Sequence, residues 1–246
     1  EKYHLLRLTL NGAEAVSEKF TDPTEAEQAA VMCKGAAVTC TSVTKEQKKE
    51  QPPKLYDLTT LQREANRLFG YTAKQTLDYA QSLYEKKLLT YPRTDSRYLT
   101  SDMEETASCV IHLVAKLPPF DGCGNFFPLV EAMSSDKDVS DHHAIIPTME
   151  IEKADIKALP LGERNLFLLV CCKLLCASAE PYVYEAVTVT FDCGGHSFTA
   201  KGKCILSEGW REIDRIFRAS LKERPADEDG GTLPDFTEGQ TFDGAE

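Results

Sequence analysis

The chain has 246 residues, of which 42% are hydrophobic and 27% charged, and its formal net charge is −11 at pH 7. Those proportions are ordinary for a globular protein and leave room for one large domain or two small ones; no apolar run approaches the length of a membrane span, and no signal-peptide pattern opens the chain. The acidic balance argues against strong unaided nucleic-acid binding, which calls for a basic face, while leaving room for a locally basic site.

Residues 3–10 (YHLLRLTL) read as a strand, and Asn11-Gly12 behind them is the strongest short hairpin signal. Asp22-Pro23-Thr24 opens a helix with Gly35 as its stop. Residues 36–44 are β-branched and strand-like, and the polar stretch 45–54, with Pro52-Pro53, marks a boundary. From Thr59 the pattern turns helical. Thr59 and Gln62 have capping-box spacing, Leu61, Ala65, Leu68 and Phe69 form an apolar stripe, and Gly70 ends it. Thr72 and Gln75 repeat the box, after which Leu77, Ala80, Tyr84 and Leu88 line one face of the next helix. A pair joined this tightly is helix-turn-helix-like. A further helix is predicted over 102–116, a loop over 118–128 and an apolar core helix over 162–178. Strand patterning returns after Pro181 as 182–192, a Gly194-Gly195 turn and 196–206, and Leu233-Pro234 with Phe236 hint at one more strand.

The nine cysteines include Cys171, Cys172 and Cys176 in one apolar helical run, and no CxxC pair occurs. Buried free thiols of a cytoplasmic protein are expected, rather than disulfides or zinc. The chain starts at Glu1 without a methionine and stops in a polar stretch; it is read as a segment of a longer protein.

Chemistry concentrates after the second capped helix, in Thr90-Tyr91-Pro92-Arg93-Thr94-Asp95-Ser96-Arg97. A phenol is a weak nucleophile near neutrality, its ordinary pKa being about 10. A fixed positive charge beside it favours the phenolate and also binds phosphate. Tyrosine with arginine is therefore suited to attack on a phosphodiester. Lys86 and Lys87 add basic residues in the same stretch. Taken alone the signal is modest, since most Tyr-x-Arg triplets are surface turns; here that would be a turn in which Arg93 pairs with Asp95.

The run from Ala80 through Ser96 closely resembles the active-site segment of type IA DNA topoisomerases. Asp141-His142-His143-Ala144-Ile145-Ile146-Pro147-Thr148 resembles the histidine motif of that family, and Leu55-Tyr56-Asp57-Leu58-Thr59-Thr60-Leu61-Gln62 matches its approach. The variant is most similar to bacterial topoisomerase III. The resemblance is firm over 55–148 and looser at the ends, where Glu208-Gly209-Trp210 is the best anchor.

The resemblance implies that Tyr91 is the nucleophile, forming a 5′-phosphotyrosine, and that Arg93 holds the scissile phosphate. It implies supporting roles for Gln81 and Glu85, four apart on one helical face, and for Thr90 just before the nucleophile. His142 aligns with the functional histidine, although the adjacent His143 leaves a one-residue slip open. It further implies single-stranded DNA as partner and Mg²⁺ as cofactor of the full-length enzyme, held by a TOPRIM domain of the same chain whose acidic DxDxE cluster is absent here. No metal is expected on this segment, which is taken to be monomeric and inactive by itself. The implied fold class is α+β, with a β-rich arch domain from 1–57 and 181–246 and an inserted helical, CAP-like domain over 58–180. Two rivals stay open: a non-catalytic helix-turn-helix DNA-binding module, which the acidic balance disfavours, and a tyrosine recombinase, which wants dispersed arginines and gives a 3′ linkage.

Overall fold

A computed structural model describes residues 2–123, 127–221 and 233–243. They sort into two compact units. One takes the chain up to Lys49, Val183–Ser207 and the described C-terminal residues; the other takes Glu50–Tyr182 and the helix that follows Glu208.

The first unit is built on an antiparallel sheet. Strands β1 (Arg7–Leu10), β2 (Ala13–Ser17), β3 (Val38–Glu50), β4 (Tyr182–Cys193), β5 (His196–Ser207) and β6 (Thr241–Phe242) lie in the order β1-β2-β5-β4-β3-β6. Side-chain alternation decides the buried face: Leu8, Leu10, Ala13, Ala15, Val38, Cys40, Val189, Phe191, Phe198 and Ala200 form one apolar cluster. Both tight hairpins have positive φ at both central residues, Asn11 (+49°) with Gly12 (+85°) and Gly194 (+59°) with Gly195 (+82°). This is the twist-matched geometry for which asparagine and glycine are chosen. Helix α1 (Pro23–Cys33) is capped by Asp22, whose carboxylate accepts from the Thr24 amide at 2.8 Å.

One expectation is refined in this unit and one fails. The boundary lies within the polar stretch 45–54, between Lys49 and Glu50, but the stretch is not a loop: residues 45–50 are the exposed end of β3. Its lysines and glutamates are compatible with a strand because backbone pairing, not side-chain burial, holds it. The late strand falls on Thr241–Phe242, paired with Val38 and Thr39, rather than on Leu233–Phe236. Phe236 instead buries its ring edge-on to Phe191 at 5.1 Å.

The second unit is helical: α2 (Leu58–Phe69), α3 (Ala73–Glu85), α4 (Glu104–Val114), α5 (Leu161–Ser178) and α6 (Trp210–Ser220). Helix α5 is apolar over most of its surface and forms the centre of the core, with Leu166, Phe167, Val170, Leu174 and Leu175 inaccessible to solvent. Between α4 and α5 the described chain makes short 3₁₀ turns and isolated β-bridges, with no further α-helix or named strand.

Three corrections apply here. Helix α2 starts before Thr59 and is capped by Asp57, which accepts from the Thr60 amide at 2.6 Å and leaves the Thr59/Gln62 box unused. The buried stripe of α3 is Thr76, Ala80 and Leu83, so its face is turned away from the expected one and Tyr84 is 40% exposed. The segment after 181 is not all β. Helix α6 buries Ile213 and Phe217 in the helical unit's core, and its start is fixed by Gly209, where a Cβ would lie 2.3 Å from the Pro181 carbonyl oxygen.

Candidate active site

Helix α3 delivers the tyrosine. Its start carries the complete capping box, with the Gln75 amide on the Thr72 hydroxyl at 3.1 Å and the Thr72 amide on the Gln75 side chain at 3.0 Å. Its end is equally defined. Lys87 takes φ +60°, the Lys87 amide donates to the Tyr84 carbonyl at 2.8 Å, and the Leu88 amide donates to the Leu83 carbonyl at 2.8 Å. This paired pattern turns the chain out of the helix. Buried Leu88 and Leu89 then drop it into the core.

There it meets the histidine block. Leu89 bridges Pro147, the Thr90 amide donates to the Ile146 carbonyl at 3.0 Å, and the Thr148 amide donates to the Leu88 carbonyl at 3.1 Å. The Thr90 hydroxyl donates to the Ala144 carbonyl at 3.2 Å and accepts from the Ile146 amide at 3.0 Å. Beyond the tyrosine, the Thr94 hydroxyl donates to the His142 carbonyl at 2.9 Å. The third matching block joins the same arrangement: Tyr56 bridges Ile145, and the Leu58 amide donates to the Thr94 carbonyl at 3.1 Å.

These ties set two rings against each other. Tyr91 is half-buried, and its ring centroid lies 4.5 Å from that of His142 at an interplanar angle of 45°. Tyr84 presents itself edge-on to Tyr91 at 5.5 Å and 77°. It is His142, exposed, whose ring meets Tyr91; His143 is half-buried and its Nδ1 sits 2.8 Å from the Ala144 carbonyl oxygen. Arg93 is exposed and makes no ion pair among the described residues, with Asp95 or with any other carboxylate. Gln81, Tyr84 and Glu85 share one face of α3. The Gln81 amide donates to the Glu85 carboxylate at 3.1 Å.

The four basic residues near Tyr91 in sequence do not form one patch. Lys86 is tied to Glu163, which also accepts from the Ser82 hydroxyl at 3.0 Å. The Lys87 backbone serves the helix end. Arg97 Nε donates to the Leu55 carbonyl at 3.1 Å and lines a different groove. Among the described residues no three histidine, cysteine, aspartate or glutamate side chains converge to hold a metal ion. Glu85 and Asp95, the acids nearest the tyrosine in sequence, are both exposed.

Two participants escape a reading of the sequence. Tyr84 looks like a core residue by its spacing yet stands against Tyr91. Thr94 looks like a spacer after Arg93 yet fixes the backbone of His142. The available signals were the large aromatic seven residues before the tyrosine and the run of threonines around it.

A model of the DNA topoisomerase family matches residues 1–246. The chain is 38% identical over 220 residues to DNA topoisomerase 3 of Bacillus licheniformis, covering 87% of this chain and 30% of that protein. It is 38% identical over 200 residues to DNA topoisomerase 3 of Bacillus subtilis, covering 79% and 27%. It therefore spans less than a third of the length of these curated relatives. Among solved structures, full-length topoisomerase I from Thermotoga maritima superposes with a TM-score of 0.70 at 21% identity, over 100% of this chain and 39% of that one.

Proposed function

The chain belongs to the DNA topoisomerase family, and on that premise we propose that it is the segment of such an enzyme that cuts, holds and reseals one DNA strand. The observation that carries this is the packing of Tyr91 against His142, with the exposed and unpaired Arg93 two residues away.

In this reading the Tyr91 oxygen attacks a phosphorus of the bound strand. A tyrosyl O–P bond forms, the bond from phosphorus to the 3′ oxygen breaks, and the phenol's proton leaves as the free 3′-hydroxyl gains one. The product is a 5′-phosphotyrosyl ester. Because the ester retains the bond energy, return attack by the 3′-hydroxyl reseals the strand without ATP. Arg93 binds the non-bridging oxygens and offsets charge that grows in the transition state. His142 fixes the plane of the Tyr91 ring and offers an imidazole nitrogen to the phosphate or its proton. Thr90 and Thr94 hold the two backbones in register, and Gln81 with Glu85 borders the site along α3. The β unit serves as the arch, and the helical unit as the CAP-like domain that carries the nucleophile.

Among the described residues no cluster of carboxylates or histidines fits a Mg²⁺ site. The metal implied by the resemblance belongs with a TOPRIM domain elsewhere in a full-length protein. Alone, the chain is expected to leave supercoiled and single-stranded DNA uncut. Joined to its flanking domains it should cleave labelled single strands in Mg²⁺, and Tyr91→Phe should abolish that cleavage with folding intact. Denaturant trapping should place the protein on the 5′ side of the break. A 3′-phosphotyrosyl product, or full cleavage by the Phe variant, would overturn the reading.

A further inference from the structure

Arg97 leads from the tyrosine segment into a second feature of the helical unit. An open groove of about 410 Å³ is lined by Arg63 and Arg67 of α2, Arg97, Lys173 of α5, Tyr56 and Glu64. Four cations face one carboxylate there, in a chain with 28 basic residues against 39 acidic ones.

Glu64 is already committed. It accepts from the Tyr56 hydroxyl at 2.6 Å, and it pairs with Lys173 at 3.0 Å, Arg67 at 3.3 Å and Arg218 at 3.5 Å. Burial pushes its carboxyl up, but Lys173, the Tyr56 hydroxyl and Arg67 outweigh that and keep it below the ordinary range. It is therefore an anion that organises the cations without neutralising all of them. Arg63 and Arg67 stand four apart on one face of α2, both exposed, and Arg63 has no ion pair among the described residues. Arg97 spends its Nε on the Leu55 carbonyl, which anchors the stem and leaves the terminal nitrogens without a carboxylate. Like charges gathered in this way repel one another, and a bound polyanion relieves the repulsion.

The lining also narrows the ligand class. Guanidinium forks match phosphate oxygens bidentately. The one aromatic ring, Tyr56, is unavailable to stack a base: it is buried, its hydroxyl is held by Glu64, and Lys173 lies 4.6 Å over its face. The groove is open rather than enclosed, which suits a passing chain better than a small ligand. Arg97 lies six positions beyond Tyr91, a contour of at most ~20 Å, so one strand can reach both.

We propose that Arg63, Arg67, Arg97 and Lys173 form a second, non-catalytic site that grips the sugar-phosphate backbone of single-stranded DNA without regard to sequence. This rests on the reading of the chain as a DNA-handling segment, but it is tested without any cleavage. The 246-residue chain is titrated with a fluorescein-labelled oligothymidylate across a salt series, and side-chain NMR of the arginine Nε–H groups locates the contact. Wild type should bind at low salt with perturbed Arg63, Arg67 and Arg97 signals. The double variant R63Q/R67Q, at two exposed positions, should keep its thermal unfolding. It should bind several-fold more weakly, with a slope of log K against log salt shallower by about 1.4, from about 0.7 per contact to a single strand.

An unchanged slope and affinity in the variant would overturn the site, as would the absence of binding, or binding that leaves these arginine signals unmoved. Equal competition by inorganic pyrophosphate at matched phosphate concentration would reassign the groove to free phosphates and overturn the backbone assignment. A chain that forms the covalent adduct but ignores R63Q/R67Q sinks only this inference. A chain that grips DNA here but forms no adduct when joined to its flanking domains sinks only the nucleophile assignment.

Discussion

The β4–β5 hairpin and the segments around Tyr91 hold themselves together in opposite ways. The hairpin is an antiparallel ladder that runs without a break from Tyr184↔Ile205 to Cys193↔His196, with one register shift beyond it, between Val183 and Tyr184; within the unbroken part each residue's backbone bonds repeat its neighbour's. The tyrosine region has only single bridges, Tyr56↔Ile145, Leu89↔Pro147 and Leu99↔Ser134. Hydroxyls fill the gaps: Thr90 to Ala144, Thr94 to His142 and Ser96 to Asp138, across 54, 48 and 42 residues of sequence. A ladder shares its load, so no one side chain matters much to the backbone. A lattice of single hydroxyls has no such redundancy, but it lets exposed residues such as Arg93 and Asp95 project between buried ones such as Pro92, Thr94 and Ser96. The second kind of construction suits the role proposed for Tyr91.

Removing one hydroxyl from each region, with the β-branched shape kept, should separate the two kinds of construction. Thr90→Val leaves the Ile146 amide and the Ala144 carbonyl without their side-chain partner, and it should cost about 2–3 kcal/mol in urea unfolding. Thr188→Val, in the middle of β4, should stay within ~0.5 kcal/mol, because valine suits a strand and the backbone does the pairing. Equal losses at the two positions would erase the distinction.

A charged tie should behave differently from a hydroxyl tie in acid. Glu64 titrates below its ordinary range when folded. Its contribution is therefore complete above its unfolded pKa of about 4.3 and is lost as pH falls through the lower folded value. Glu64→Gln should cost about 1–2 kcal/mol at pH 7 and flatten part of the acid limb of a stability–pH curve. Thr90→Val should shift that curve down without changing its shape.

Thr94→Val sharpens the comparison on the functional side. It removes a bond to the His142 carbonyl and one from the Ser96 amide at 3.1 Å. A stability loss of about 1–2 kcal/mol is expected. In the flanked enzyme, strand cleavage should fall roughly tenfold, since about 1.4 kcal/mol of misplacement is a factor of ten in rate.

The same contrast explains what the sequence makes legible. Period-two alternation and glycine turns are local, so the ladder of β4 and β5 and both hairpins follow from reading a few residues at a time. The apolar run of α5 is legible for the same reason. The start of α2 is not, because Asp57 and Thr59 both offer caps and only packing selects Asp57. Helix α6 carries Trp210, Ile213, Phe217 and Leu221 at helical spacing, but its glycine-led start resembles a turn until Gly209 is seen pressed against Pro181. At the site, motif order brings Tyr91 and His142 into consideration together. The long-range hydroxyl bonds that join them leave no local periodicity, so Thr94 and Tyr84 pass unnoticed. The groove of Arg63, Arg67, Arg97 and Lys173 is assembled from three separate elements and has no linear signature at all.

The smallest predicted effect comes from two positions with nearly the same backbone angle. Gly194 has φ +59° in the β4–β5 turn, and Lys87 has φ +60° at the end of α3. A left-handed residue with a Cβ costs about 1 kcal/mol relative to glycine. At Gly194 a side chain is doubly excluded, since a Cβ would also lie 2.8 Å from the Met32 carbonyl oxygen. Gly194→Ala should therefore destabilise the β unit by more than the backbone term alone. At Lys87 the strain is already present, and the helix end tolerates it because the bonds from Lys87 to Tyr84 and from Leu88 to Leu83 hold the turn closed. Lys87→Gly should relieve it and raise stability by about 0.5 kcal/mol, after allowing for the greater freedom glycine gives the unfolded chain. The backbone carbonyl that receives the Thr148 hydroxyl is retained. Thermal unfolding of the two variants gives the comparison directly: opposite signs are expected. A destabilised Lys87→Gly would mean that the lysine side chain does more for the approach to Tyr91 than its exposed position shows.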